Sequence, residues 1–254
     1  VTAAASRPAG QEVDAEAAAF ERDGVIRWGS FLGPAELTGV RAALERAFFA
    51  AAAPAAGVRD LSEVAGRPLA GGLLQKVDLW REDPFLAAFV ARPDVVARVQ
   101  RLLGGPVRLF RDHAFYKPGG KGAASNLMLH QDNRYWHLEP PQAATIWIAL
   151  DDATVRNGCV HYVLGSHRRG RIRHERTVPG AVLVEAVTDE EPVPYPVRAG
   201  EALCHHAQVL HGSTPNQTEL PRRAYCVVYM RADITRRGEP VTDYPLATEL
   251  AGRR

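Results

Sequence analysis

LMLHQDNRYWHLEPPQAATIWIAL, from Leu127 to Leu150, holds two strand-like runs, Leu127–Asp132 and Ala144–Leu150, separated by a polar turn and Pro140-Pro141. The first run carries His130-Gln131-Asp132. On an extended strand, positions two apart project from one face, so this imidazole and this carboxylate are expected to reach a single point. Imidazole and carboxylate suit a divalent transition metal, and three protein ligands with open positions suit iron(II) and dioxygen chemistry. In the second run Thr145, Trp147 and Ala149 share one face, and the remaining residues read as core. The pair at 130 and 132 needs a third ligand from elsewhere in the chain.

Outward from this stretch, short apolar runs alternate with turn signals. They are Val107–Lys117, Leu127–Asp132, Ala144–Leu150, Cys159–Leu164, Ala181–Val187, Glu201–His205, Gln208–Ser213 and Arg222–Arg231. Pro118-Gly119-Gly120, Asn157-Gly158 and Gly165-Ser166 punctuate them. So many strands without an intervening helical pattern predict a mainly β fold with flanking helices, a β-sandwich or jelly roll. The front of the chain is different. A helix is expected over 12–23, a strand at Gly24–Trp28, and a helix opening at Pro34, since proline suits the first helical position. Asp83-Pro84 and Pro93-Asp94 open two more helices, the second ending at Gly104-Gly105. Residues 50–72 are small and weakly patterned, and are expected to form a loop, a candidate lid. The whole chain, 1–254, is expected to be one domain, with a helical buttress over about 12–105 and a jelly-roll core over about 106–233.

Bulk properties narrow the function classes. A net charge of +2 is too mild to argue for nucleic acid, and no apolar run approaches the length of a membrane span. The alanine-rich start lacks the features of a signal peptide. Cys159, Cys204 and Cys226 are widely spaced with no CxxC pair, which predicts buried free thiols in a reducing cytoplasm. The expected partner is therefore a small molecule, with neither nucleic acid nor membrane involved. Arg168, Arg169, Arg171 and Arg173 form either a solvated loop or a contact for an anionic substrate group.

Two later segments complete a constellation. Gln208–Ser213 is a strand ending in a turn and supplies His211 as a candidate third ligand. Arg222 heads the run Arg222–Met230, whose alternation puts Arg222, Ala224, Cys226, Val228 and Met230 on one face. An arginine on an apolar face is costly unless it meets an anion, and its fork matches a carboxylate. The other reading of Arg222 is a strand-end arginine pairing with Glu219.

With HQD at 130–132, Trp147, NGC at 157–159, GSH at 165–167, HGS at 211–213 and Arg222-Arg223-Ala224, the chain resembles the phytanoyl-CoA dioxygenase-like branch of the iron(II)/2-oxoglutarate-dependent oxygenases, from about Phe20 to Asp233. The resemblance implies that His130, Asp132 and His211 bind Fe(II). It implies that Arg222 and Ser213 hold the distal carboxylate of 2-oxoglutarate, that Trp147 packs beside that cosubstrate, and that Lys117 lies near it. It further implies a double-stranded β-helix, the cupin-like jelly roll, and an O2-dependent hydroxylase that acts on an unactivated C–H bond of a natural-product intermediate or amino acid and releases succinate and CO2. The carboxylate at 132 sets the chain apart from halogenating relatives, which carry a small residue there. Tyr135, Trp136 and His137 after the turn, and His161 on the Cys159 strand face, are candidates for substrate contact. Two other readings stay open: a non-catalytic metal-binding cupin-like protein, and a metal-dependent isomerase or hydrolase that works without 2-oxoglutarate.

Overall fold

A computed structural model of the chain describes residues 9–49, 57–62, 72–120, 125–176 and 184–250. The alanine-rich start up to residue 8 and most of the expected lid, 50–56 and 63–71, lie outside these residues. The elements in chain order are α1 (Ala9–Asp23), β1 (Val25–Ser30), α2 (Pro34–Phe49), β2 (Arg59–Asp60), β3 (Leu74–Val77), α3 (Pro84–Phe89), α4 (Pro93–Leu103), β4 (Val107–Lys117) and β5 (Leu127–His130). There follow α5 (Asn133–Trp136), β6 (Leu138–Glu139), β7 (Ala143–Ala149), β8 (Val160–Val163), β9 (His174–Glu175), β10 (Glu185–Ala186) and β11 (Val193–Tyr195). The last are β12 (Glu201–His206), β13 (Leu210–Ser213), β14 (Arg222–Arg231), β15 (Thr235–Arg236), β16 (Glu239–Pro240) and α6 (Ala247–Leu250).

Local chemistry sets the helices of the front half. Asp83 accepts hydrogen bonds from the backbone N–H groups of Phe85 (2.9 Å) and Leu86 (3.2 Å), with Pro84 at the first position of α3. Helix α4 starts at Pro93 and stops where Gly104 turns left-handed at φ 71°. Its stripe of Val95, Val96, Val99 and Leu103 is buried, and each such side chain contributes about 1.5–3 kcal/mol by leaving water.

A seven-stranded sheet in the order β1-β12-β7-β14-β4-β3-β2 faces a four-stranded sheet in the order β11-β8-β13-β5, and the fold is a jelly roll. Period-two alternation along β14 divides its labour. Tyr225, Val227 and Tyr229 pack on the helices with Phe89, Val96 and Val99. Ala224 and Cys226 face the other way, into the space between the sheets with Trp147 and Tyr162. Val228 and Met230 close one end of that space with Phe110 and Trp136. The Tyr229 hydroxyl donates to the Val90 carbonyl (2.7 Å), which ties sheet to helices.

Two expectations change. The strand that begins at Leu127 stops at His130, and Asp132 takes helical torsions, φ −54° and ψ −42°, at the entry to α5. The run Ala181–Val187 contributes only Glu185–Ala186 as strand among the described residues. The three cysteines are free and buried. No helix among the described residues is long and apolar enough to cross a membrane.

Candidate active site

His211 on β13 pairs directly across from His130 on β5. Directly opposed residues on neighbouring antiparallel strands put their side chains on one face a few ångströms apart. Here the ring centroids are 4.3 Å apart. The approach of the two strands depends on Gly212, where a Cβ would sit 2.6 Å from the Leu127 carbonyl oxygen. Each imidazole is oriented from behind: His130 Nδ1 lies 2.8 Å from the Met128 carbonyl and His211 Nδ1 lies 3.1 Å from the Val209 carbonyl. Those contacts put the ring protons on Nδ1 and leave both Nε2 lone pairs facing Asp132.

Asp132 reaches the pair through a turn rather than by strand alternation. Gln131 builds that turn. Its side-chain amide donates to the carbonyls of Gly170 and Gln208, both at 2.8 Å, and its oxygen accepts from Ile172 N at 2.9 Å. Asn133 N donates to the Ala207 carbonyl at 2.9 Å. Asp132 Oδ1 then lies 3.6 Å from His130 Nε2 and 3.8 Å from His211 Nε2. The three ligand atoms fall within 4.8 Å of one another, a spacing that could hold a metal ion. Burial pushes the Asp132 carboxyl up, but His211, His130 and His205 outweigh it, and the group stays well below the usual carboxylate range. Burial, with His130 beside it, drives His211 well below its ordinary value. An ionised acid next to a neutral imidazole is the donor set a metal requires.

At the other end of the same space lie two buried basic side chains. Arg222 and Lys117 are register partners on β14 and β4. Arg222 is 3% exposed, its guanidinium carbon stands 5.3 Å from the Trp147 ring centre, and its Nε has no hydrogen-bond partner. No ion pair between Arg222 and an acid forms among the described residues, so the alternative pairing with Glu219 is absent. Lys117 is fully buried and donates to Ser213 Oγ (2.8 Å) and to the Thr214 carbonyl (2.6 Å). Burial, then Arg222, lowers Lys117 to about 6. Gly158 admits this arrangement: it has φ +78°, and a Cβ there would meet the Thr214 carbonyl oxygen at 2.2 Å and Lys117 Nζ at 2.9 Å. The Asn157-Gly158 turn thus makes room for the lysine.

Between the two ends is a cavity. Leu73, Phe115 and Leu127 give it an apolar wall, Thr145 lines it on the strand face it shares with Trp147, and His113 and His205 add polar groups that the sequence patterns passed over. Thr145 donates to Asp132 Oδ2 at 3.1 Å. His113 is lowered to about 4 by burial, with Nδ1 unpartnered. The signal for His205 was alternation: Leu203 and His205 share the inward face of β12, and Cys204 faces the helices. His113 carried no comparable pattern.

The expected substrate contacts divide. Tyr135 stands exposed beside His130, with ring centroids 6.0 Å apart. Trp136, which could serve either as cavity wall or as core, takes the core position, buried against Phe110 (5.3 Å), because the α5 turn rotates it into the end cluster. His137 caps α5 with φ +59° and is off the cavity wall. His161 faces away from the cavity. Val160 lines it and the Tyr162 hydroxyl meets His205, so the inward parity of β8 is opposite to the expected one. Of the basic run, Arg169 pairs with Glu190 and Arg173 with Glu175.

Comparison with known proteins agrees with this geometry. The family model for phytanoyl-CoA dioxygenase (PhyH) matches residues 20–224. Phytanoyl-CoA dioxygenase domain-containing protein 1 of Mus musculus is 31% identical over 61% of this chain and 55% of its own length. The chain thus spans about half the length of that relative. Ectoine dioxygenase of Nocardia farcinica is 26% identical over 85% of this chain and 77% of its own. Among solved structures, the non-heme alpha ketoglutarate-dependent carbocyclase SnoK of nogalamycin biosynthesis superimposes with TM-score 0.70 at 27% identity, covering 89% of this chain and 87% of that one. The epimerase SnoN, solved with Fe3+ and alpha ketoglutarate, shares the fold with TM-score 0.76 at 24% identity, covering 94% and 99%.

Proposed function

Because the chain belongs to the phytanoyl-CoA dioxygenase family, we propose that it is an iron(II)/2-oxoglutarate-dependent oxygenase that hydroxylates an unactivated C–H bond of a small molecule. The observation that carries this reading is the pairing of two sites in one cavity. A His-Asp-His group lies at one end and a buried arginine without an acid partner at the other. A structural metal alone gives no reason for the second, since an uncompensated guanidinium in a core is costly.

His130 Nε2, Asp132 Oδ1 and His211 Nε2 would hold the metal, and Arg222 with Ser213 would receive the far carboxylate of 2-oxoglutarate, with Lys117 beside them. Iron(II), 2-oxoglutarate and dioxygen together supply an oxidant strong enough for an unactivated C–H bond, with release of succinate and CO2. The chain's own contribution is placement. Trp147 and Val160 keep the carboxylate end of the cavity dry, which strengthens the attraction of Arg222 for an anion. Leu73, Phe115 and Leu127 favour an apolar carbon skeleton next to the ligand group. That wall supports a natural-product-like substrate in preference to a free amino acid, whose charges would need partners there.

The test is anaerobic titration of the metal-free protein with iron(II) and 2-oxoglutarate. A visible chelate band is expected in the wild type and is expected to vanish in His211→Ala. A wild type without the band, or a band that survives the substitution, removes the proposal. Product mass then decides the reaction: a gain of one oxygen supports hydroxylation, and a loss of two hydrogens replaces it with desaturation or ring closure.

A further inference from the structure

Among the described residues on the cavity wall, His205 is an imidazole that packs against the His-Asp-His group without being part of it. Its ring lies 4.4 Å from the His211 ring, centroid to centroid. Yet His205 is not one of the residues whose ligand atoms gather within 4.8 Å of one another. It faces the other oxygen of the acid: His205 Nε2 lies 3.5 Å from Asp132 Oδ2, while Oδ1 faces His130 and His211. On the far side of the ring, Nδ1 meets the Tyr162 hydroxyl at 3.0 Å. Both His205 and Tyr162 are buried, at 2% and 0% exposure.

Hydrogen-bond bookkeeping fixes the roles. Tyr162 has no other hydrogen-bond partner among the described residues, so its hydroxyl proton goes to His205 Nδ1. That choice places the ring proton on Nε2, where the nearest acceptor is Asp132 Oδ2. At 3.5 Å the contact is longer than a formed hydrogen bond, and Nε2 is accordingly a buried donor with no partner. Thr145 already donates to the same Oδ2. Thr145 from β7 thus holds one carboxylate oxygen, His205 from β12 faces that same oxygen, and the other is left for the ligand group.

We propose that His205, oriented by Tyr162, is a positioning residue that holds Asp132 Oδ2 so that the carboxylate offers the metal only Oδ1. Open coordination positions would then stay available for cosubstrate and oxygen, where a carboxylate gripping through both oxygens would fill one. The proposal rests on the metal site described above.

Two isosteres separate the donor from the bulk. Glutamine places an amide N–H near the position of imidazole Nε2, and asparagine reaches only as far as Nδ1. Wild type, His205→Gln, His205→Asn and Tyr162→Phe are titrated with Co(II) alone, the full chain in metal-free form, and Kd is read from the visible absorption of the bound ion. His205→Asn is expected to bind roughly 10- to 100-fold more weakly, in the range found when groups supporting a metal ligand are removed. His205→Gln is expected within about threefold of wild type, with Tyr162→Phe between the two. The Co(II) band of His205→Asn is expected to weaken and shift as the carboxylate becomes bidentate. Equal Kd values for wild type and His205→Asn overturn the proposal, as does a loss in His205→Gln as large as that in His205→Asn. A His205→Asn chain that fails to fold leaves Tyr162→Phe to decide, and wild-type affinity there overturns it too. Failure of the wild type to bind Co(II) would instead remove the metal site itself.

Discussion

Arg222→Met should make the empty protein more stable and the cosubstrate bind worse, and both effects can be sized. Burial lowers the Arg222 guanidinium from its ordinary 12.5 to about 10. A gap of about 2.5 in pKa corresponds to roughly 3 kcal/mol held against the charged form. The side chain is 3% exposed, so little of that is relieved by solvent. Methionine fills similar volume without charge and can still lie against Trp147. With the packing lost from the fork deducted, a gain of about 2 kcal/mol remains, which for a chain of this size raises the melting temperature by roughly 5 °C. Few substitutions of a buried polar residue stabilise a protein.

The bound state reverses the sign. Removing one partner of a buried, hydrogen-bonded charge pair costs about 2–5 kcal/mol, or roughly 30-fold to several thousand-fold in Kd. Two measurements on wild type and Arg222→Met suffice: thermal melting of the metal-free protein, and titration of the Co(II)-loaded protein with 2-oxoglutarate. An unchanged Kd refutes the assignment of Arg222 as the carboxylate anchor. A lower melting temperature in the variant refutes the claim that the empty protein carries an uncompensated charge.

The remaining predictions concern pH. Lys117 sits at about 6 in the ligand-free protein, against an ordinary 10.5, so above pH 6 it is largely neutral there. A carboxylate arriving beside it favours the ammonium, so 2-oxoglutarate binding should take up a proton and Kd should rise by up to about tenfold per pH unit above 6. Lys117→Met should flatten that slope, and calorimetry of the Co(II)-loaded protein between pH 6 and 8 checks it. A second group is Asp112, fully buried at the join of β4 and the helices, where its Oδ2 accepts from the Tyr225 hydroxyl (2.6 Å) and Trp80 N (2.9 Å) while Oδ1 has no partner. Burial raises it from 3.8 to about 7. The folded state therefore holds a proton that the unfolded state releases, and stability falls as pH rises from about 4 to about 7, by up to roughly 4 kcal/mol. Asp112→Asn keeps both accepted hydrogen bonds and should remove that fall. Urea melts at pH 4.5 and 8 test it, and an undiminished fall in the variant contradicts it.

What the sequence made legible was what local chemistry writes down. The Asp83-Pro84 cap, the Pro93 start and Gly104 stop of α4, and the two-sided alternation of Arg222–Met230 follow from rules that need no partner strand. The convergence of residues 130, 132 and 211 was legible for a partly wrong reason. His130 and Asp132 share a strand in the pattern, but the strand ends at His130 and a turn built by Gln131 delivers the acid. Gln131 holds two loops that are remote in sequence, and nothing in its neighbours announces that. Parity was the second weak point. His161 and His205 lie on short strands where a shift of one position exchanges cavity for outside. Only the register of β8 and β12 against their neighbours fixes which residue faces in. Whether Trp136 is wall or core was undecidable from the strand frame, because a single helical turn rotates it out of that frame.

Those misses share a physical cause with the site itself. A folded interior normally pairs its buried polar atoms, and sequence patterns describe the paired, self-consistent part of a fold well. In this cavity Arg222 Nε, His113 Nδ1 and His205 Nε2 are all buried without a partner. Each sits on a strand whose remaining inward residues are mostly apolar; alternation made Arg222 stand out on its strand, but it gave His113 and His205 no comparable prominence. The same three atoms make the cavity an expensive place to leave empty: an unmade hydrogen bond costs about 1–3 kcal/mol for each buried group. The cost at Arg222 is tolerable if an anionic ligand completes it, and His205 Nε2 faces Asp132 Oδ2 in the ligand group at the other end of the same space. Local disagreement between sequence rule and structure is expected where a protein gives up stability for function, and two such places, Asp132 delivered by a turn and His205 facing inward, lie on the wall that faces the proposed chemistry.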